Sequence, residues 1–291
     1  MMRPEYPSTR SESSVDSVVG LEFPDPYRWL EAETDEVKQW QLAQSQFADH
    51  YVLAWPYFKS LQKSVEHFLV NGYCAYPQFA GGKWFRAGYE KSTGRSGVVV
   101  SESPYGEGQL VYALNGENPE TPAFMVSISP SPNGDLLAIG VCTDGSEYNT
   151  IRLVKVDTGE LLPHAPHQLL LGGTTGGVTW LNDSSGFYFQ AMEGDPNDFK
   201  QQILFHHLAS GKQTPVNIPV PDQRKQEYML ITVSPNGRYH LANRGFPALT
   251  PVAILDTEQF GSNWCSFITN VEGSVVGHTI GDHLVAFTDV D

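Results

Sequence analysis

The stretch FMVSISPSPNGDLLAIGVCT, residues 124–143, has the pattern of two strands joined by a tight turn. Apolar and small residues alternate from Phe124 to Ser129, which is typical of a strand with one buried face. Ser131-Pro-Asn-Gly134 follows, and Asn-Gly tolerates the positive φ angles that a tight hairpin requires. Leu136–Thr143 is then an apolar run of strand length. The stretch therefore predicts a β-hairpin.

This pattern recurs along the chain at a nearly constant interval. Turn-like glycines occupy equivalent places in five units: Gly82, Gly134, Gly186, Gly237 and Gly281. The gaps between them are 52, 52, 51 and 44 residues. Gly159 and Gly211, which mark a later turn of the unit, are also 52 residues apart. A period of about 40–50 residues, with several short strands per unit, is typical of β-propeller blades.

We therefore predict a mainly β chain, in which an α-helical N-terminal extension precedes a partial β-propeller of about four blades and the start of a fifth. The extension is expected over residues 1–71 and the incomplete propeller over 72–291. The blades are expected near residues 72–121, 122–173, 174–224, 225–272 and 273–291, the last being partial. The alternative is a β-sandwich or jelly roll in which the regular spacing of the glycines is a coincidence. Two separate series of turns have the same period of about 52 residues, which favours the propeller.

The extension carries helix signals. Residues 1–20 are polar and are expected to be extended. Thr34 is a predicted helix cap, and apolar residues recur at helical spacing from Val37 to Tyr51. Pro56 ends this helix and can open a second one, which Asn71-Gly72 closes.

Composition limits the classes of partner. The chain has 291 residues, 40% hydrophobic and 18% charged, as expected for a globular protein, and a net charge of −15, which disfavours nucleic acid as a partner. The three cysteines Cys74, Cys142 and Cys265 are far apart and predict free thiols in a reducing compartment. No apolar run is long enough to span a membrane, and the polar start lacks the pattern of a secretory signal. These features predict a cytoplasmic protein.

The chain contains no Gly-x-Ser-x-Gly motif, the sequence that holds a catalytic serine on a strained strand-to-helix turn. Gly94-Arg-Ser-Gly-Val98 is the nearest match and fails at its last position. The stretch also has the pattern of a loop before a strand, so Ser96 is not predicted to be a nucleophile. No catalytic residue is predicted in this chain.

The histidines do not predict a metal site. His164 and His167 could be read as a ligand pair, but Pro166 indicates a loop, and no further ligand lies at metal-binding spacing. His206 and His207 are adjacent and point to opposite faces of a strand, so they cannot chelate together. No metal is predicted.

The glycine-rich segment and the acidic pairs are also interpreted without a ligand. Residues 172–177, GGTTGG, lack the Lys and Ser/Thr order of a phosphate-binding loop, and no helix follows them. The pairs Asp144/Glu147 and Asp195/Asp198 are expected to be solvated residues of blade loops. No cofactor is predicted.

One stretch resembles a known family. Asp25-Pro-Tyr-Arg-Trp-Leu-Glu31, followed by two predicted helices and then by propeller strands, is similar to the opening of the prolyl oligopeptidases. The Tyr6-Pro7 entry, the Asp157-Thr-Gly159 turn and the Thr179-Trp180 pair are similar as well. In that family a seven-bladed propeller caps an α/β-hydrolase domain, whose Ser-Asp-His triad cleaves short peptides after proline.

The resemblance implies the front part of such a serine endopeptidase. The chain would hold the helical extension and the first blades, would gate substrate access, and would lack the hydrolase domain with the triad. By itself it is predicted to be inactive, and short proline-containing peptides would bind through the missing domain. Tyr188, in the aromatic strand Phe187–Phe189, matches a family position that lines the substrate pocket, although the strand also fits core packing.

A second hypothesis is a stand-alone propeller that binds a protein partner and has no catalytic activity. Against it, the aromatic residues of the helical extension need a surface to cover: Trp29, Trp40, Phe47, Phe58 and Phe68. An unclosed propeller also exposes strand edges, which invite association. We therefore predict self-association through open strand edges and the uncovered helical face.

Overall fold

The computed structural model describes residues 6–70, 76–89, 95–114, 123–143, 145, 148–171, 177–195, 198–219, 228–245, 249–259, 261, 263–269, 271 and 273–289. Within these ranges, the side chains at 68–70, 89, 171, 194, 195, 198 and 199 are not described. The chain forms two compact units, Met1–Asn71 and Gly72–Asp291.

The first unit contains a hairpin, a single turn of 3-10 helix and two α-helices. Their bounds are β1 (Val15–Val18), β2 (Leu21–Pro24), the 3-10 turn (Arg28–Glu31), α1 (Asp35–Leu53) and α2 (Phe58–Val70). The sequence predicts an extended segment here but not the turn between β1 and β2. Val19 occupies the left-handed region at φ 53, beside Gly20 at φ 78. A β-branched residue rarely adopts this conformation, so the sequence signal for the turn is weak.

The start of α1 follows the predicted capping. The backbone N–H of Val37 donates to Oγ1 of Thr34 at 3.3 Å. This bond gives a partner to one of the N–H groups of the first turn, which have none within the helix. The indole N–H of Trp40 donates to Oγ1 of Thr9 at 2.9 Å. The guanidinium of Arg10 lies 4.5 Å from the ring centroid of Trp29. These contacts tie the polar N-terminal segment to the helical part of the unit.

In the residues that the structure describes, the second unit is a partial β-propeller with four four-stranded blades and two strands of a fifth. Every blade is an antiparallel sheet whose four strands follow one another in chain order. The first two blades comprise β3 (Gln78–Ala80), β4 (Lys83–Tyr89), β5 (Ser96–Ser101), β6 (Gly108–Ala113), β7 (Phe124–Pro130), β8 (Leu136–Cys142), β9 (Tyr148–Lys155) and β10 (Leu170–Leu171). The others comprise β11 (Thr179–Trp180), β12 (Gly186–Asp195), β13 (Asp198–His207), β14 (Lys212–Pro215), β15 (Met229–Val233), β16 (Tyr239–Arg244), β17 (Thr250–Asp256), β18 (Cys265–Ser266), β19 (Val275–Ile280) and β20 (His283–Thr288).

The turn glycines have the predicted conformation in four of the five units. Positive φ angles occur at Gly82, Gly134, Gly237 and Gly281. The third blade differs, because Ser184 takes the left-handed position at φ 60 and Gly186 begins β12. Gly186 is needed there for another reason, since a Cβ at this position would lie 2.4 Å from the carbonyl oxygen of His206. The prediction that Gly186 marks the turn is therefore wrong by two residues.

The core of the propeller lies between successive blades. One cluster joins the first two blades through Phe85, Val98, Val111, Tyr112, Leu137, Ile139, Val141, Val154 and Val156. The next joins the second and third blades through Ala138, Ile151, Leu153, Leu170, Trp180, Phe187, Phe189, Ala191 and Leu204. A third joins the third and fourth blades through Tyr188, Ile203, Met229, Ile231, Ala242 and Ala253. Because strand residues alternate between faces, each middle blade contributes to two clusters.

The hairpin turns that follow the first strand of each blade are linked to one another. The donor and acceptor of each link belong to adjacent blades and lie 51 to 53 residues apart. The pairs are Gly81 N–H with Pro132 O at 3.0 Å, Asn133 N–H with Ser184 Oγ at 3.1 Å, and Asn182 Nδ2 with Pro235 O at 2.8 Å. The sequence period is therefore visible in the bonding between blades.

The fifth sheet consists of β19 and β20 and packs next to the fourth blade. The backbone N–H of Val275 donates to Oγ1 of Thr250 at 3.1 Å, and the Tyr239 hydroxyl donates to Oδ1 of Asp282 at 3.1 Å. Most of this hairpin is exposed, and 87% of Phe287 is accessible to solvent. In the described part of the chain, neither α-helix is long and apolar enough to cross a membrane.

Candidate functional site

The position singled out from the sequence, Tyr188, lies in a row of four residues that crosses the third blade. Thr179, Tyr188, Phe205 and Thr214 are direct cross-strand partners in β11 to β14. Directly paired residues share one face of a sheet, so the row faces the fourth blade. The Thr179 hydroxyl donates to the carbonyl oxygen of Ile231 at 2.8 Å, which anchors the row to that blade.

The neighbouring row points the other way. Trp180, Phe187, His206 and Gln213 are paired in the same manner one residue along each strand. The indole N–H of Trp180 donates to the carbonyl oxygen of Ser129 at 2.9 Å, in the second blade. The aromatic run of β12 therefore divides between two seams, and Tyr188 belongs to the seam between the third and fourth blades.

Tyr188 is buried in this seam. Its hydroxyl lies 2.9 Å from Nδ1 of His240. Burial raises the pKa of Tyr188 to about 12 and lowers the pKa of His240, so both groups are neutral near pH 7. The Tyr188 ring makes edge contacts with Phe205 at a centroid distance of 4.9 Å and with Trp264 at 6.4 Å. The pair is thus one buried neutral hydrogen bond inside an aromatic cluster.

A cavity of about 660 Å³ opens beside this cluster, between the last strands of the third and fourth blades. Tyr188, Phe205 and Trp264 form its aromatic wall. Asn217 and Asn263 are among its polar lining residues. Its volume lies within the range of ligand sites, but it is a depression open to solvent, since Asn217, Pro219 and Asn263 are exposed.

The other candidate residues do not assemble into a second site. His206 is fully buried and His207 is exposed, on opposite faces of β13. Burial, with smaller contributions from His207 and His164, lowers the pKa of His206 to about 4. Ser96 begins β5. Among the residues that the structure describes, no three His, Cys, Asp or Glu side chains are grouped so as to hold a metal ion.

Several predicted positions fall outside the described residues: Cys74, Asp144, Glu147 and residues 172–176. Asp195 and Asp198 were expected in a blade loop, but they are paired at the ends of β12 and β13. These two strands continue farther than the sequence pattern indicated. Cys142 is buried and Cys265 is partly buried.

The sequence singles out Tyr188 but not the residues that surround it. A signal was present in the spacing, because Tyr188 and His240 are 52 residues apart, as are Thr179 and Ile231. Residues one blade period apart meet across a seam. No comparable signal marks Trp264, which lies in an irregular segment just before β18.

Comparison with known proteins places this fold in a family. Residues 6–291 match the family described as "Prolyl oligopeptidase, N-terminal beta-propeller domain". The chain belongs to the prolyl oligopeptidase family. This finding confirms the resemblance drawn from the stretch Asp25–Glu31.

Curated relatives match most of this chain and are themselves much longer. A prolyl endopeptidase of Elizabethkingia meningoseptica is 23% identical over 296 residues, which is 99% of this chain and 41% of the relative. The dual function macrocyclase-peptidase POPB of Galerina marginata is 25% identical over 268 residues, or 80% of this chain and 36% of the relative. The chain thus spans about two fifths of the length of the prolyl endopeptidase that it matches.

Solved structures agree in fold. A chain from a structural and mechanistic study of two prolyl endopeptidases superposes with a TM-score of 0.76 at 21% identity, over 98% of this chain and 42% of that one. Prolyl oligopeptidase B of Galerina marginata, bound to a 25mer macrocyclization substrate, gives 0.72 at 22% identity, over 98% and 44%. At this level of identity the likeness concerns the fold alone.

Proposed function

We propose that this chain is the helical and propeller part of a cytoplasmic serine endopeptidase of the prolyl oligopeptidase type, which cleaves short peptides after proline. The observation that carries the proposal is the match over residues 6–291 to a propeller domain whose relatives are named prolyl endopeptidases and are more than twice as long. We include in the proposal that residues 72–291 are an incomplete propeller domain and that the catalytic triad lies outside this chain.

The propeller is proposed to restrict access to the active site. Hydrogen bonds between adjacent turns and three interblade clusters support this role, because they join successive described blades into one packed body. Such a body can exclude a folded protein while a short peptide passes. Tyr188 enters the proposal as a peptide contact, through the part of its ring that borders the cavity.

The test compares this chain with a version extended to the length of the relatives. The extended protein is expected to hydrolyse a chromogenic Z-Gly-Pro substrate and to react with a serine-directed phosphonate. The 291-residue chain is expected to do neither. A Gly-Pro reporter peptide should be cleaved free in solution and resist cleavage when embedded in a folded carrier protein.

An extended protein that neither labels nor cleaves would contradict the peptidase proposal. It would favour the stand-alone interaction module instead. Cleavage of the free and the embedded reporter at equal rates would contradict gating alone, because hydrolysis would then be present without size restriction. Fractionation of cells that produce the extended protein tests the cytoplasmic location.

We also propose that the 291-residue chain self-associates. The β19–β20 hairpin supports this, since Ile280, Val285 and Phe287 are exposed on a two-stranded sheet. The helical unit adds exposed apolar side chains, among them Leu53 and Leu61. Dynamic light scattering at increasing concentration is expected to show a growing hydrodynamic radius, and a constant monomer radius would refute the proposal.

A further inference from the structure

Two turns of the propeller have the same sequence, Ser-Pro-Asn-Gly, at residues 131–134 and 234–237. Asn-Gly is chemically labile, because glycine has no side chain to obstruct attack by its backbone nitrogen on the carboxamide of the preceding asparagine. The two turns share one backbone form, with φ 75 at Gly134 and φ 76 at Gly237. They are therefore a matched pair in which the surroundings differ.

The carboxamide of Asn236 is held in a reactive arrangement. The Ser234 hydroxyl donates to Oδ1 of Asn236 at 2.6 Å, and the backbone N–H of Arg238 donates to the same oxygen at 3.2 Å. Attack on the carboxamide carbon places negative charge on this oxygen, where the two donors stabilise it. Nδ2 of Asn236, which has to leave, has no hydrogen-bond partner among the described residues. The residue is also exposed, so water can reach it.

The same groups are held more tightly at Asn133. The Ser131 hydroxyl is shared between Oδ1 of Asn133 at 2.7 Å and the carbonyl oxygen of Leu136 at 3.0 Å. Nδ2 of Asn133 donates to Oδ2 of Asp135 at 2.9 Å, and the backbone N–H of Asn133 donates to Oγ of Ser184 at 3.1 Å. The Asp135 carboxylate also repels negative charge that develops on the carboxamide.

The neighbouring blade adds to this protection. The turn of the first blade packs so closely on Asn133 that a Cβ at Gly81 would overlap the Asn133 carbonyl group. Gly134 is buried, whereas Gly237 is partly exposed. Ring closure changes the backbone conformation of the turn, so the turn with more contacts resists it.

We propose that Asn236 is a site of spontaneous deamidation and that the contacts of Asn133 protect the equivalent site in the second blade. The backbone nitrogen of Gly237 loses its proton to hydroxide and attacks Cγ of Asn236. The Cγ–Nδ2 bond then breaks, and ammonia leaves with a proton from water. Water opens the resulting succinimide at either carbonyl and gives aspartate or isoaspartate.

The site lies at the junction of the fourth blade with the fifth sheet. The product places a carboxylate beside Arg238, whose guanidinium bonds Asp256 at 2.8 Å and lies 3.6 Å from Asp282 in the β19–β20 turn. The inference goes beyond the peptidase proposal, because it concerns a covalent change of the chain itself.

The test is incubation of the 291-residue chain in mildly alkaline buffer that contains water enriched in a heavy oxygen isotope. Mass spectrometry of proteolytic peptides then follows both turns. Asn236 is expected to react about tenfold faster than Asn133, the effect of one hydrogen bond on a barrier, and the product should carry oxygen from water. The same incubation in urea removes the contacts and should bring the two rates together.

Two variants sharpen the comparison. Asn236→Gln would have to close a larger ring, so the mass change in its peptide should disappear. Asp135→Ala removes the partner of the Asn133 amide at an exposed position and should make Asn133 react several-fold faster.

Four results would overturn the proposal. They are an unreactive Asn236 in the folded chain, equal rates at the two asparagines, a difference that persists in urea, and an Asn133 rate that Asp135→Ala leaves unchanged. Each result is independent of whether the extended protein is a peptidase, because the readout is the mass of a peptide.

Discussion

The third blade and the β19–β20 hairpin have the same local pattern and opposite environments. Both contain an antiparallel hairpin whose turn uses a residue in the left-handed region, Ser184 in the third blade and Gly281 between β19 and β20. Phe187 in the third blade is fully buried between two neighbouring sheets, whereas Phe287 in the hairpin is 87% exposed. The strands are therefore specified locally, but their burial depends on the neighbouring blade. Apolar surface contributes to stability only where a second sheet covers it.

The largest effect that tests this comparison is expected for Phe187→Ala. The variant would leave a cavity between the second and third blades and should lower the free energy of unfolding by about 3–5 kcal/mol. Urea unfolding followed by tryptophan fluorescence gives the value. Phe287→Ala is the matched control on the hairpin, and the comparison fails if the two variants cost the same.

A smaller effect should come from protonation at the same seam. The pKa of His206 is about 4 in the folded chain and about 6.5 when unfolded. Between these values the unfolded chain binds more protons, so stability should decrease as the pH falls from about 6.5 to about 4. Melting temperatures across this range provide the measurement. His206→Gln should make the melting temperature less dependent on pH. A melting temperature that does not change with pH in the unmodified protein would contradict the prediction.

The exposed neighbour supplies the control for that experiment. His207 lies on the other face of β13 and is exposed. His207→Gln should leave most of the pH dependence of stability in place, because burial is the largest cause of the lowered pKa of His206. If both variants weaken the pH dependence equally, burial at the seam is not the cause of the acid sensitivity.

The Tyr188 hydroxyl tests the opposite face of the same blade. Tyr188→Phe leaves the buried Nδ1 of His240 without its partner and should cost about 1–2 kcal/mol in the free energy of unfolding. Denaturant titration measures the loss. Tyr105→Phe, at a residue that is 66% exposed, should be neutral. Equal losses for the two variants would mean that the Tyr188–His240 bond does not stabilise the seam.

The smallest change in stability is expected on the hairpin itself. Phe287→Ser removes an exposed ring and should change the free energy of unfolding by no more than about 0.5 kcal/mol. Its effect should appear in association, with a smaller hydrodynamic radius at high concentration. A large loss of stability would show that the hairpin is covered in solution, and the contrast with the third blade would then disappear.

The sequence predicted the fold well because the relevant signals are local. The Ser131–Gly134 turn and its repeats depend on neighbouring residues, and positive φ angles at Gly134 and Gly237 follow from turn chemistry. The same reasoning failed at Gly186, where the turn uses Ser184, and at Val19, whose conformation is rare for a β-branched residue. In both cases a residue other than glycine occupies the left-handed region.

The candidate site was much less predictable. Tyr188 was singled out by resemblance, and the blade period relates it to His240. Phe205 could be reached by pairing strands within the blade. The positions of Asn217 and Trp264 could not be predicted in this way. Both residues lie outside regular strands, so no periodic pattern indicates which side of the cavity they line. Cavities between blades depend on such irregular segments.

The hydrogen bonds between adjacent turns join residues about one blade apart in the chain, so they can form only one after another as the chain is synthesised. Each donor or acceptor waits for a partner about one blade later in the chain, as Gly81 does for Pro132 and Asn133 for Ser184. At roughly 5–20 residues per second, a ribosome needs several seconds to deliver that partner. During this interval the newest blade is always the incomplete one. The most recently synthesised blade therefore has one uncovered face. That face is buried when the next blade has been made, and the next blade is then the one with an uncovered face.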